Sequence, residues 1–179
     1  MARLLWGIIP VEKVAAFWFH NPGSKTSNII YNLKYFNHRQ IGIDMGKLLV
    51  NDPDFDHFFD DIDALIPMPI AKRRQRERGY NQCWYIAEGI SQATGIEIVN
   101  DAVERVSFDG SQTQKTYFER QENVKNVFRL SRPERIAEKH IMIVDDVMTT
   151  GATIISLAEE LLKANGVKIS IVTLALAKH

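Results

Sequence analysis

The residues with the most chemical potential are consecutive: Ile141-Met-Ile-Val-Asp-Asp-Val-Met-Thr-Thr-Gly-Ala-Thr153. Four apolar residues, expected to form a strand covered on both faces, end at two adjacent carboxylates, Asp145 and Asp146. A short turn follows and opens a helix. Ligands of parallel α/β sheets bind beyond the carboxyl ends of strands. Val147 and Met148 lead into the turn, and Thr149, Thr150 and Thr153 supply hydroxyls. Gly151, followed by Ala152, lets the backbone come close to a ligand without a Cβ in the way. Free backbone N–H groups and the positive end of a helix dipole complete a cradle suited to a phosphate monoester. Ionised carboxylates only accept hydrogen bonds, so Asp145 and Asp146 suit paired sugar hydroxyls. They also suit positive charge developing on an oxocarbenium-like sugar. The alternative is a surface turn whose aspartates and threonines merely cap a helix. It explains pieces of the string, but not the whole in a strand–loop–helix setting.

A second segment, Pro67-Met-Pro-Ile-Ala-Lys-Arg-Arg-Gln-Arg-Glu-Arg-Gly-Tyr-Asn-Gln82, follows an earlier apolar run. Five cationic side chains fall between Lys72 and Arg78, against the single Glu77. Its strand would end on the same sheet edge as Asp145, which lets the turn face the same ligand. Arginine forks match the oxygens of a dense anion such as pyrophosphate. A solvated basic turn and a nucleic-acid patch are the competing readings.

The Asp-Asp loop resembles the 5-phosphoribosyl-1-pyrophosphate (PRPP) motif of type I phosphoribosyltransferases. That resemblance implies Asp145 and Asp146 as ribose ligands and 148–153 as the 5′-phosphate loop. Together with the Pro-x-Pro turn and Arg-Glu-Arg-Gly-Tyr-Asn-Gln, it is similar to the competence protein ComF family of that superfamily. The stretch from Gln112 to Val124, ending at Phe128, resembles that family's polar loop, and Leu33-Lys34-Tyr35 its Leu-Lys-Tyr helix. The resemblance spans roughly residues 5–177.

It implies displacement of pyrophosphate from PRPP by a nitrogen acceptor whose identity the chain does not reveal. Substrate-bound Mg²⁺ would bridge pyrophosphate and ribose oxygens. The implied pyrophosphate segment is Met68, Pro69, Lys72, Arg73, Arg78, Asn81 and Gln82, with Lys72, Arg73 and Arg78 as the contacts and Asn81 and Gln82 near the sugar or the backbone turn. Within the polar stretch 105–128, Gln112, Gln114 and Arg120 belong to a mobile loop that closes over ligand, or to a hairpin that serves only as cover. A competing function is a non-catalytic PRPP- or nucleotide-binding module that binds single-stranded DNA or a protein of the DNA-uptake machinery. Many members begin with a cysteine-rich zinc module. This chain has only Cys83, so no metal is assigned to its own side chains.

These sites require an α/β frame. The expected fold is that of a type I phosphoribosyltransferase: a mainly parallel sheet flanked by helices, an N-terminal helical hood and a long flexible loop. The 179 residues fit one domain, with 1–63 as hood and N-terminal helices and 64–179 as core. Strands are expected at 14–19, 64–69, 96–99, 141–144 and 168–177. The helix over 27–36 carries Ile29, Ile30, Leu33 and Phe36 on one face, with Lys34, Tyr35 and Phe36 as candidate acceptor contacts. The next places Ile41, Met45, Leu48 and Leu49 inward. A helix over 80–94 stops at Gly95, and one after Thr153 stops at Gly166.

Acidic and basic residues balance at 22 each, so net charge gives no reason to expect a nucleic-acid or membrane partner. No apolar run is long enough to span a bilayer. The cytoplasm is the default location, and a homodimer is left open. Cys83 lies on an apolar helix face and reads as core filler. The five histidines show no zinc-ligand spacing, and Trp6, Trp18 and Trp84 read as packing before base-stacking.

Overall fold

A computed structural model describes residues 5, 7–20, 29–33, 38–106 and 127–177. Its frame is a five-stranded sheet in the order β1-β7-β6-β2-β3, with every neighbouring pair parallel. The strands are β1 (Val14–His20), β2 (Ala64–Pro67), β3 (Glu97–Ile98), β6 (His140–Met148) and β7 (Lys168–Ala177). Two shorter strands, β4 (Val103–Arg105) and β5 (Phe128–Leu130), pair antiparallel as a separate ribbon. The helices are α1 (Arg39–Asn51), α2 (Lys72–Arg78), α3 (Gln82–Thr94) and α4 (Ala152–Leu161), with a helical stretch over 29–33. No described helix is long and apolar enough to cross a membrane.

The continuous apolar runs of β6 and β7 follow from burial on both faces. Ile141, Ile143, Ile169 and Ile171 pack with Ile154, Leu157 and Leu161 of α4. The alternate residues Met142, Val144, Val172 and Leu174 pack with Ile86 and Ile90 of α3 and Leu49 of α1. Each such aliphatic side chain contributes roughly 2 kcal/mol by leaving water.

Several boundaries depart from those read off the sequence. β6 does not stop at Val144 but runs on through both aspartates to Met148, because the longer β7 stays in register as far as Met148↔Leu176. The segment from Lys72 to Arg78 is a helix and not a turn. Its lysine, arginines, glutamine and glutamate are good helix formers, and Gly79 closes it at φ 76°. α3 begins at Gln82, after Asn81 caps it by accepting from the Cys83 N–H. α4 ends at Leu161, with Leu162 as its cap, so Gly166 turns the chain several residues later. Leu48 is 53% exposed. The inward face of α1 is instead Gly42, Gly46 and Leu49. A Cβ on Gly46 would lie 2.2 Å from the Ile86 carbonyl oxygen, and one on Gly89 2.1 Å from that of Ile43. These glycines therefore let α1 and α3 pack backbone to backbone. β1, from the first 63 residues, joins the main sheet beside β7.

The strands expected at 14–19 and 168–177 are found as such, and Gly95 does close α3 at φ 80°. The ribbon of β4 and β5 pairs the two described ends of the polar stretch. Gln112, Gln114 and Arg120 lie outside the described residues, as do Trp6, Lys34, Tyr35 and Phe36.

Candidate functional site

The carboxyl edge of the sheet gathers both motifs. β2 is in register with β6 through Pro67↔Val144, and the Met68 N–H donates to the Val144 carbonyl at 2.9 Å. The chain after β2 therefore leaves the sheet beside Asp145. Asn81 fastens this junction from α3, its Nδ2 donating to the Met68 carbonyl at 3.0 Å. As an N-cap, Asn81 also adds about 1 kcal/mol to the helix.

The two carboxylates are held in place. Asp145 Oδ1 accepts from the Asp146 N–H at 2.9 Å, and Asp146 Oδ1 from the Val147 N–H at 2.8 Å. Asp146 is 4% exposed, and its Oδ2 accepts from Gln82 Nε2 at 3.3 Å. Asp145 is half-buried and lies against Cys83, whose Sγ donates to Oδ1 at 3.4 Å. Burial, reinforced by Asp145 and Asp146, pushes the Cys83 thiol up. It stays a neutral S–H donor and is no nucleophile.

Oxygen or sulfur atoms of Cys83, Asp145 and Asp146 all lie within 4.8 Å of one another. A protonated thiol is a poor partner for a hard cation, whereas one or two carboxylates plus substrate oxygens and water suit Mg²⁺. The aspartates fit such an ion, and the cysteine does not.

Beyond Met148 the chain turns through Thr149 and Thr150, both exposed, into Gly151 at φ 80°. That left-handed conformation strains any residue with a Cβ. A Cβ here would also approach Met148 Cε at 2.9 Å. Gly151 has no side chain with which to cap α4, and the Ala152 N–H donates to Thr150 Oγ1 at 3.4 Å, which leaves the following first-turn amides to solvent or ligand. Asp145 and residues 147–154 line a small hollow at this point.

A larger cleft of about 500 Å³ lies under the chain that follows β2. Pro69, Lys72, Asn81, Trp84 and Arg105 are among its walls, so Trp84 is not simply core packing. Arg39 closes one side, its guanidinium 5.8 Å and 5.5 Å from the ring centres of Tyr80 and Tyr85. Arg105, on β4, stacks 5.4 Å over the Phe128 ring and donates to the Pro69 carbonyl at 3.4 Å. Burial, and then the neighbouring Arg74, disfavour its charge, while Asp145 favours it. No carboxylate among the described residues forms an ion pair with Arg105. A half-buried guanidinium in that position is suited to an anion.

Lys72 lines this cleft, but Arg73 is absent from its walls. Arg73 is 86% exposed and pairs with Glu77 at 2.7 Å along its own helix. Arg78 donates to Gln82 Oε1 at 3.1 Å. Sequence reasoning missed Arg105, Arg39, Tyr80 and Tyr85 as cleft residues. Tyr80 stands inside a motif already singled out, and its hydroxyl donates to the Leu33 carbonyl. Arg105 and Arg39 carry no local signal, since tertiary folding alone brings β4 and α1 to the cleft.

The Phosphoribosyl transferase domain family matches residues 81–179. Competence protein F of Haemophilus influenzae is 31% identical over 155 residues, covering 84% of this chain and 68% of that protein. DNA utilization protein YhgH of Escherichia coli K12 is 29% identical over 140 residues, covering 76% of this chain and 61% of that one. The chain thus spans about two-thirds of these relatives' lengths. Among solved structures, the allosteric regulatory enzyme of purine biosynthesis superposes with TM-score 0.54 at 17% identity, over 79% of this chain and 30% of that one. Glutamine PRPP amidotransferase from B. subtilis gives 0.52 at 17% identity, with the same coverage. At that identity these two likenesses speak for the fold alone.

Proposed function

The chain belongs to the phosphoribosyl transferase domain family, and from that premise we propose that it binds Mg²⁺-PRPP and transfers the phosphoribosyl group to a nitrogen acceptor. The observation that carries this reading is the acidic pair at the carboxyl edge of central strand β6, followed at once by the Gly151 turn and the uncapped start of α4. In this reading residues 147–153 hold the 5′-phosphate, and Asp145 and Asp146 hold the ribose hydroxyls. Lys72, Arg105 and backbone groups around Met68 and Pro69 receive the pyrophosphate. Mg²⁺ arriving with PRPP would neutralise pyrophosphate oxygens, with Asp145 and Asp146 as its protein-side carboxylates.

Transfer breaks the bond from the anomeric carbon to pyrophosphate oxygen and forms a carbon–nitrogen bond, the acceptor's proton passing to water. The protein's contribution is electrostatic. The carboxylates stabilise positive charge developing on the sugar, and the cations stabilise negative charge developing on the leaving group. The test is pyrophosphate release from Mg²⁺-PRPP across a panel of amines and nucleobases. Release that depends on one acceptor class supports transfer. PRPP that binds without any acceptor-dependent release sinks the enzymatic reading and leaves a binding module.

A second reading is favoured by α2, which buries none of its residues and carries five cations against Glu77. Such a helix suits the phosphates of single-stranded DNA, in keeping with the names of the competence and DNA-utilization relatives. It requires an affinity that falls steeply with salt, and salt-insensitive or absent DNA binding rejects it.

A further inference from the structure

The opening turn of α3 touches three separate parts of the site with three consecutive side chains. Asn81 holds the Met68 carbonyl, Gln82 holds Asp146 and Cys83 holds Asp145. Gln82 is 5% exposed and uses both ends of its amide, Oε1 accepting from Arg78 and Nε2 donating to Asp146. Its orientation is therefore dictated from both sides. Reversing the amide would set NH₂ against a guanidinium and a carbonyl oxygen against a carboxylate.

We infer that Gln82 and Cys83 are positioning residues that aim the acidic pair, and that Arg78 acts through Gln82 to couple the basic helix to the ribose site. This inference rests on the PRPP-binding reading above and deepens it. Gln82 and Arg78 then cease to be direct pyrophosphate contacts, and Cys83 ceases to be inert filler.

The physical case lies in what each contact does to a carboxylate. Asp145 and Asp146 each have an Oδ1 tied to the next backbone N–H, which limits rotation but does not set the tilt of the carboxylate plane. A second donor from α3, on Oδ2 of Asp146 and Oδ1 of Asp145, sets that tilt. Both second donors are neutral, so neither cancels the negative charge that the sugar and its cation require. An arginine or lysine in either place would form a salt bridge and blunt that charge. The positive charge of Arg78 instead acts at one remove, polarising the amide that donates to Asp146. Loss of a hydrogen bond to a charged group corresponds to about tenfold or more in affinity.

The test is titration of Mg²⁺-PRPP into wild type, Gln82→Met, Arg78→Met, their double variant, Cys83→Val and Cys83→Ser, with a thermal melt of each. Methionine and valine approximate the lost volume without a donor, while serine restores a donor at Cys83. The expected result is a loss of about tenfold for Gln82→Met and Cys83→Val, in protein that the melt shows to be folded at the titration temperature. Cys83→Ser stays within about threefold of wild type, and the double variant is no worse than Gln82→Met. A merely structural role would lower Tm without weakening binding by the folded protein. Wild-type affinity in Gln82→Met and Cys83→Val overturns the positioning role and leaves PRPP binding intact. Additive losses in the double variant overturn the coupling through Arg78. Absence of binding by folded wild type overturns the PRPP reading itself, and this inference with it.

Discussion

Two segments leave the same edge of the sheet, and they are built on opposite plans. The segment made of the end of β6 and the loop after it is finished before any ligand arrives. Its carboxylates have fixed donors, its glycine sits in a left-handed turn that no other residue adopts freely, and its helix starts uncapped. The segment after β2 is a solvated helix with no buried residue, and Arg73 within it spends its charge on Glu77. Of its cations Lys72 lines the cleft, with Gln75 on the same helix, while Arg39 and Arg105 reach the cleft from elsewhere in the chain. In the proposed reading, preorganisation belongs to the sugar-phosphate side and electrostatic attraction to the pyrophosphate side. That division of labour is open to experiment.

Apart from removal of the acidic pair itself, the largest effect should come from the pyrophosphate side. The double variant Lys72→Met/Arg105→Met is expected to weaken Mg²⁺-PRPP by about a hundredfold, since each removes a charge-assisted contact. Binding of ribose 5-phosphate, measured in the same titration, should be unchanged. An equal loss for both ligands would erase the proposed division. A smaller but broader effect is expected of Gly151→Ala, whose positive φ and close approach to Met148 displace the loop. Here both ligands should weaken together by about tenfold, and a loss confined to PRPP would move the phosphate elsewhere. The smallest effect belongs to Arg73→Met, for which affinity should stay within about twofold and Tm should hold, because an exposed i,i+4 pair contributes little. A large loss there would mean that α2 reorients on binding.

What the sequence disclosed and what it hid follow the same contrast. The acidic loop is legible because its strand, turn and helix are contiguous, so local rules carry the inference from Ile141 to Thr153. The parallel sheet is legible for a related reason, since continuous apolar runs in β6 and β7 require cover on both faces. The length of β6 was not legible, because polar Asp145 and Asp146 stay in the ladder only through pairing with β7. The inward face of α1 was misread because hydrophobic periodicity favours Leu48, whereas the contact with α3 is made by Gly42 and Gly46, which carry no hydrophobic signal. Arg105 and Arg39 could not be found by spacing, because each reaches the cleft from a different element. Cys83 was correctly placed in the interior, but its hydrogen bond to Asp145 depends on the start of α3, which the Asn81 cap sets at Gln82.

The most direct measurement of the central claim is calorimetric titration of Mg²⁺-PRPP into wild type and into Asp145→Asn/Asp146→Asn. Asparagine keeps the size of each side chain and removes the charge that, in the proposed reading, the sugar and its cation require. Micromolar binding by wild type (about −8 kcal/mol), weakened more than about a hundredfold in a variant that melts normally, is the predicted result. Equal affinity in the two proteins, or no binding by well-folded wild type, would contradict it.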